Sequence, residues 1–338
     1  MDYSKKVAIL MPVYNGEKYL NEAIESILNQ TYKEFDFLII NDGSSDRTEE
    51  IIKSYNDKRI IYIENEKNIG IVKTLNKGLD LIKSKYIVRM DADDISSSKR
   101  VEKQVKFMDK NMDISVSGTS ILLFNREGRV WKNKVRQDPT QVKTQLLFNN
   151  ALMHPSVIIR KSTLLEGNYK YDEEDCSVED FGLWQKISFT YKLSNIPEVL
   201  LKYRVNEVGL TQVAERDMKR RDLVHMKIYM QAFDHLGIKI STKDLEALAL
   251  FLGGRAFVNE IDINTILEII KSMKVAAQLK DYDMKFFDAI ICSYFRANCL
   301  KSGKTVSESN LLYKKYFTSF FRYRLKEKMK FAIKRYLH

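Results

Sequence analysis

Tyr86-Ile87-Val88-Arg89-Met90-Asp91-Ala92-Asp93-Asp94 is a short apolar run that ends abruptly in three carboxylates within four residues. Such a run reads as a buried strand, and acids at its carboxyl end belong in the crevice where open α/β sheets bind ligands. Carboxylates this close repel one another unless a positive charge lies between them. A hard divalent cation, which takes oxygen ligands and bridges protein carboxylates to phosphates, is one solution. A solvated acidic turn ahead of a helix, capped by Asp or Ser, is the other.

The upstream segments repeat the same design. A strand over Val7–Met11 leads through Pro12-Val13-Tyr14-Asn15-Gly16 into a helix with Leu20, Ile24, Ile27 and Leu28 at helical spacing. A second strand, Phe35–Ile40, stops at Asn41-Asp42-Gly43-Ser44-Ser45-Asp46, whose small polar residues can cap a helix from Arg47. A third, Ile60–Glu64, is followed by Asn68-Ile69-Gly70 and a helix carrying Val72, Leu75, Leu79 and Ile82. Short apolar strands alternating with helical periods predict a parallel sheet covered on both faces.

Right-handed crossovers keep parallel strands pointing one way, so Tyr14, Asp42, Asn68 and the acid cluster meet at one sheet edge. An aromatic face, a carboxylate and a metal-binding acid cluster suit the base, sugar and phosphates of a nucleotide diphosphate. Each has a plainer reading: Tyr14 as an aromatic covering the sheet end, Asp42 as a turn and cap residue. The chain has no GxGxxG and no GxxxxGK[ST], so the acid cluster with a cation is the candidate device for neutralising phosphates.

Downstream, Ser96-Ser97-Ser98 precedes a helix with Val101, Val105, Phe107 and Met108. A strand over Ile114–Phe124 bends back near Asn125-Arg126-Glu127-Gly128 into Arg129–Lys132. His154-Pro155-Ser156 opens a strand over Val157–Arg160, where His154 either caps the strand end or serves a metal or substrate. Glu179 and Asp180 open an amphipathic helix with Leu183, Trp184 and Ile187; acids at a helix start are favoured by the dipole alone.

With 338 residues, 44% of them hydrophobic, and only four prolines, the chain buries a sizeable core and is not a disordered protein. No apolar run approaches the roughly 18 residues of a membrane span, and the amino terminus enters a strand at once, so neither a spanning helix nor a signal peptide is expected. Cys176, Cys292 and Cys299 have no CxxC spacing, which favours reduced thiols in the cytosol over a structural zinc site. The net charge of +11 is concentrated at the end: residues 301–338 hold eleven Lys or Arg against Glu308 and Glu327. A nucleic-acid-binding reading therefore rests on that tail alone.

Several segments in register resemble the family 2 glycosyltransferases with the GT-A fold: Met11 to Gly16, Ile40 to Thr48, Arg89 to Asp94, His154-Pro155-Ser156, and Glu179-Asp180 through Trp184. The resemblance covers about residues 5–210. It implies an α/β GT-A fold with a mostly parallel central sheet, followed by an α-helical carboxyl-terminal region. It also implies transfer of a sugar from a nucleotide diphosphate donor, usually UDP-linked, to an acceptor hydroxyl with inversion. On these matches Tyr14 would pack on the uracil, Asp42 would accept its N3–H and Asp91 would bind the ribose, with Pro12, Asn15, Asn68 and Ala92 also around the nucleotide sugar. Asp93 would coordinate Mn²⁺ or Mg²⁺, Asp180 would be the catalytic base and Glu179 its support. Trp184 would shape the acceptor end of the cleft; Asp94, His154 and Arg204 are grouped with it, the task of Asp94 being open. Many relatives read Glu-Asp-Tyr-Asp-Leu-Trp where this chain has Phe181 and Gly182, and carry a histidine where it has Asn206.

Beyond about Glu215 the composition shifts to helix formers, with Leu223–Leu236, Leu245–Leu252, Thr265–Met273 and Phe286–Leu300 reading as helices that pack on the catalytic domain or on another subunit. Aromatic and apolar residues from Tyr313 to Leu337 recur every three or four positions among lysines and arginines. That pattern suggests a helix on an anionic membrane surface. The expected division is a catalytic domain at 1–212, a helical region at 213–310 and a basic amphipathic tail at 311–338. The expected protein is a cytoplasmic enzyme, peripheral at the inner face of the cell membrane, using a UDP-hexose or UDP-N-acetylhexosamine on a glycan or lipid-linked glycan. Gln-x-x-Arg-Trp occurs around neither Trp131 nor Trp184, which favours one transfer per encounter over processive synthesis. A catalytically inactive nucleotide-sugar-binding or scaffold protein of the same fold is the alternative.

Overall fold

Strands β1 (Val7–Val13) and β2 (Phe35–Asn41) are buried at every position. Continuous apolar runs separated by amphipathic helices have that fate, because each strand needs cover on both faces. With β3 (Ile60–Glu64) and β4 (Tyr86–Arg89) they form a parallel half-sheet in the order β3-β2-β1-β4. Helices α1 (Leu20–Leu28), α2 (Thr48–Ser54) and α3 (Ile71–Leu81) connect these strands. The computed structural model describes residues 5–125, 127–128, 130–175, 177–205, 218–256 and 261–301.

The second half of the sheet is mixed. After a short β5 (Ile95–Ser96) and α4 (Arg100–Lys110), β6 (Ile114–Phe124) is joined on one side by β7 (Val130–Lys132), the anticipated hairpin. Then come α5 (Pro139–Gln145), β8 (Ile158–Arg160), α6 (Lys161–Glu166), α7 (Glu179–Ser188) and β9 (Lys192–Arg204). The sheet continues β4-β8-β6-β9-β5, with β8 antiparallel to both neighbours and β6 parallel to β9.

Two local outcomes differ from the sequence reading. His154-Pro155-Ser156 forms a 3₁₀ turn rather than the start of β8, as expected where proline has no N–H for a ladder. The long β9 went unanticipated because Pro197 lies in its middle, a residue that argues against an interior strand; the ladder accommodates it with a register shift, Thr119 pairing with Ile196 and Ser120 with Val199.

The chain divides into two compact units, one of Met1–Ile240 with Val275–Asp283, the other beginning with Ser241–Lys274 and resuming at Met284. Helix α8 (Met218–Leu236) falls in the sheet-bearing unit. Its buried Ile228, Tyr229, Ala232 and Phe233 account for this. The second unit contains Thr242–Leu252 and Met284–Lys301 around a core that includes Leu248, Phe251, Phe287 and Ile291. Phe251 and Phe295 meet edge to face at 4.8 Å, and Lys274 pairs with Asp288 at 2.6 Å. The tail at 311–338 lies outside the described residues, as does Asn206. Among the described residues no helix is long and apolar enough to cross a membrane.

Candidate active site

The carboxyl ends of β1, β2 and β4 bring the first three segments to one edge. Pro12 is tolerated within β1 because backbone groups alternate sides. Val13 O accepts from Asp42 N at 2.8 Å toward β2, and Leu10 O accepts from Met90 N at 3.0 Å toward β4. Residue 12 therefore directs its missing donor toward the β4 side, past Leu10–Arg89, the last β1–β4 pair. Tyr14 follows, 51% exposed.

Asn15, at φ +49°, staples two loops together. Its N–H donates to Ser44 Oγ and its Oδ1 accepts from Ser45 N, both at 2.9 Å. Asp42 is buried and holds a third loop, accepting from Asn65 Nδ2 at 2.8 Å and from the N–H groups of Ile69 and Gly70 at 3.0 Å. A carboxylate has about four acceptor positions, so one remains. Asn68 is exposed, and its Oδ1 caps the same turn by accepting from Gly70 N at 3.0 Å. Gly43 makes the approach: at φ +67°, a Cβ there would lie 2.5 Å from the Lys67 carbonyl carbon.

The acid cluster forms as the opening stretch predicts. Asp91, Asp93 and Asp94 each offer a carboxylate oxygen, all within 4.8 Å of one another. Ala92 between them is partly exposed. Asp94 is wholly buried; its Oδ1 accepts from Arg204 N at 2.9 Å, while Oδ2 has no hydrogen-bond partner. Burial, then the charges of Asp91 and Asp93, push the Asp94 carboxyl well above the usual range. An orphaned buried oxygen in a triad of hard donors fits a divalent cation.

Arg204 serves this cluster from behind. Its Nε donates to Asp93 O at 2.9 Å, Nη2 pairs with Glu22 at 2.8 Å, and the guanidinium lies over the Tyr19 and Phe124 rings at 4.1 and 4.6 Å. Its Nε and Nη2 are thus engaged in holding the loop.

Arg89, which sequence reasoning passed over, is a buried cation of the site. It is buried, pairs through Nη1 with Asp91, and has no hydrogen-bond partner at Nε. Its charge also bears on Glu179, Asp180, His154 and Tyr171. A basic residue inside an otherwise apolar strand is the signal that could have found it, since buried charges need partners. Behind it, Arg100 is wholly buried, donating to Pro155 O at 2.7 Å and Arg89 O at 3.2 Å.

Glu179 and Asp180 begin α7, where the helix dipole favours negative charge. Asp180 is partly exposed; its Oδ2 accepts from Asn150 Nδ2 at 2.5 Å and its Oδ1 from Phe181 N at 2.8 Å. Burial raises the Asp180 carboxyl above the ordinary range against the pull of those hydrogen bonds. Burial, then the Asp180 charge, raises Glu179 as well. Asn150, in a loop without a pattern, gave no sequence signal.

His154 is nearly buried, with Nε2 2.9 Å from Tyr171 Oη and Nδ1 3.9 Å from Glu179 Oε1, the latter too long for a hydrogen bond. Burial and then Arg89 push its pKa well down, so the ring is neutral. Trp184 is fully buried, edge-on to His154 and Tyr171 at 6.1 and 6.2 Å, and packs behind these residues.

Residues 8–163 match the sequence profile described as glycosyl transferase family 2. The chain is 39% identical over 206 residues to the uncharacterized glycosyltransferase MJ1057 of Methanocaldococcus jannaschii, covering 59% of this chain and 70% of that one. It is 31% identical over 212 residues to the O-antigen biosynthesis glycosyltransferase WbnJ of Escherichia coli, covering 59% and 80%. The structure of S. aureus TarS 1–349 in complex with UDP-GlcNAc superposes with a TM-score of 0.59 at 17% identity, over 89% of this chain and 93% of that one. The last likeness shows the GT-A fold, and the sequence matches make this chain a member of glycosyl transferase family 2.

Proposed function

We propose that this glycosyltransferase is metal-dependent and inverting, and that it moves a hexose or N-acetylhexosamine from a UDP-sugar to a hydroxyl of a glycan or lipid-linked glycan. The observation that carries the reading is that Arg89 serves two carboxylate sets: it pairs with Asp91 of the Asp91, Asp93 and Asp94 triad, and its charge also bears on Glu179 and Asp180. The UDP-GlcNAc complex of TarS and the O-antigen role in the name of WbnJ support the donor and acceptor classes.

Inversion by direct displacement needs one base on the acceptor side. Asp180 takes the acceptor hydroxyl proton as the new C–O bond forms; the bond from the anomeric carbon to the diphosphate breaks, and UDP leaves with its electron pair. Asn150 and Phe181 N fix the Asp180 carboxylate while leaving lone pairs for that proton. Tyr14 stacks on the base, the free acceptor position of Asp42 takes the uracil N3–H, and Asp91 binds the ribose, with Pro12, Asn15, Asn68 and Ala92 shaping the wall. Asp93, with Asp91 and Asp94 beside it, would hold Mn²⁺ or Mg²⁺, which when bound supplies Lewis-acid stabilisation of the departing diphosphate. The basic tail at 311–338 brings the enzyme to the anionic inner face of the membrane; loss of liposome binding on its deletion tests this point.

The deciding experiment is a thermal-shift and UDP-release panel of nucleotide sugars with and without Mn²⁺, because a ligand of the folded state raises its stability by mass action. Stabilisation and turnover by UDP-sugars in Mn²⁺ are expected. Equal response to purine nucleotide sugars, or turnover indifferent to chelation, would overturn the donor or the metal assignment respectively.

A further inference from the structure

A carboxylate is sealed beneath the first turn of α7. Asp175 is wholly buried, and neither of its oxygens accepts a well-formed hydrogen bond. Its compensation is Lys227 of α8, whose Nζ lies 3.3 Å from Oδ1. The same ammonium reaches Asp172 at 3.0 Å and Glu174 at 2.8 Å, so one cation spans three acids of the segment that leads into α7. Lys186, within α7, pairs with Asp172 at 3.3 Å.

Gly182 exists for this carboxylate. A Cβ at residue 182 would sit 2.2 Å from Asp175 Oδ2, inside any permitted contact, and 3.6 Å from Ile228 Cδ1 of α8. The backbone closes the link: Asp175 O accepts from Val178 N at 2.9 Å, and Val178 O accepts from Gly182 N at 3.2 Å. Glu179 and Asp180 lie between those two bonds. A sealed charge is costly unless an opposite charge compensates it, and here the compensating pair joins α8 to the segment that begins the helix bearing the acidic pair.

We propose that Asp175 and Lys227 are a positioning pair that fixes the height and register of the α7 amino terminus, and hence of Asp180, against the donor side of the cleft, with Gly182 as the opening that admits the Asp175 carboxylate. The pair rests on the reading of Asp180 as the base. Neither residue touches substrate; they act through the backbone of Val178 to Gly182.

Lys227→Met, Lys227→Arg, Asp175→Asn and Asp180→Asn are to be compared in the full chain, using the UDP-sugar that turns over fastest in the panel above, with UDP affinity and thermal midpoint measured beside kcat and KM. A displacement near 1 Å costs about 100-fold in rate, so Lys227→Met should lose kcat on that scale while KM for the donor and UDP affinity stay within about twofold, and Lys227→Arg should recover most of the rate. Asp175→Asn keeps the shape and removes the buried charge, so it should fold at least as firmly as the parent and still lose kcat. Unchanged kcat in both Lys227→Met and Asp175→Asn would overturn the pair even where Asp180→Asn is dead. Losses that follow the thermal midpoint through the series would overturn it equally. Full turnover in Asp180→Asn would instead remove the base assignment, and the purpose of the pair with it.

Discussion

Asn150 donates its side-chain amide to Asp180 across 2.5 Å, joining the loop that precedes the His154 turn to the first turn of α7. The contact orients one carboxylate oxygen and favours its ionised form, since hydrogen bonds to charged groups are worth about 1.5–3 kcal/mol. Asp180→Asn should abolish transfer while leaving UDP affinity close to that of the parent. Asn150→Ala should lower kcat by about 10- to 100-fold, the same energy expressed as rate. Steady-state kinetics beside UDP calorimetry separates the two effects, and wild-type turnover in Asp180→Asn would refute the assignment.

The acidic limb of the pH profile follows from burial. Asp180 and Glu179 are both raised above the ordinary carboxylate range, and a base works only when deprotonated. Acidification should therefore reduce kcat/KM well before the usual carboxylate value of about 4 is reached, through a step belonging to the pair and not to one residue. A rate that is flat down to roughly pH 4 would contradict the raised pair.

Removing the Arg204 side chain leaves its backbone bond to Asp94 intact but frees Asp93 O from Nε and breaks the ion pair with Glu22. Groups that orient ligating residues from behind typically contribute 10- to 100-fold in metal affinity. Arg204→Ala should weaken Mn²⁺-dependent UDP binding on that scale, and Asp93→Ala should weaken it further. Calorimetric titration of UDP at fixed Mn²⁺ reads both, and an unaltered affinity in Asp93→Ala would remove it from the ligand set.

Trp184 tests stability rather than chemistry. It is fully buried, and its indole N–H has no hydrogen-bond partner, so truncation costs volume and contacts alone. Trp184→Ala should destabilise the fold by about 3–5 kcal/mol, measured by denaturant unfolding. A loss below about 1 kcal/mol would show that the site collapses around the missing ring.

Gly43→Ala joins local strain to nucleotide affinity. The residue sits at φ +67° with Lys67 backbone in the place of a Cβ, and left-handed strain at a non-glycine residue costs about 1–3 kcal/mol before any clash is relieved. The variant should lower the thermal midpoint and weaken UDP binding, because the loop that moves is the one Asp42 grips. Unchanged binding would separate Asp42 from the base pocket.

The parallel half of the fold was legible because its signals are local. Apolar runs of β1, β2 and β4 and the helical spacing of α1 and α3 declare themselves within a window of ten residues. Asp91 to Asp94 could be read for the same reason: the acids are adjacent in sequence. Asn150, Tyr171 and Lys227 could not, since each acquires meaning only from a partner in another element. Gly182 reads in sequence as a departure from the family pattern; beside Asp175 it is a fitted space. Pro197 hid β9, because a rule about interior strands has no way to foresee the register shift that spares it. Trp184 gave no sign of its burial in the sequence, as its apolar surface is equally suited to lining a cleft or filling a core.

The bond from Arg204 N to Asp94 spans 110 residues and comes at the far end of β9. The β1–β2 and β2–β3 pairs join neighbours in sequence, but β9 must settle beside β6 across all the chain between them before Arg204 arrives, and contacts between distant segments form late. During synthesis the acidic loop consequently emerges long before its clasp. A nascent chain halted ahead of β9 possesses all three aspartates and no cradle to set them in, so capture of the proposed cation should await the finished sheet and would mark its completion.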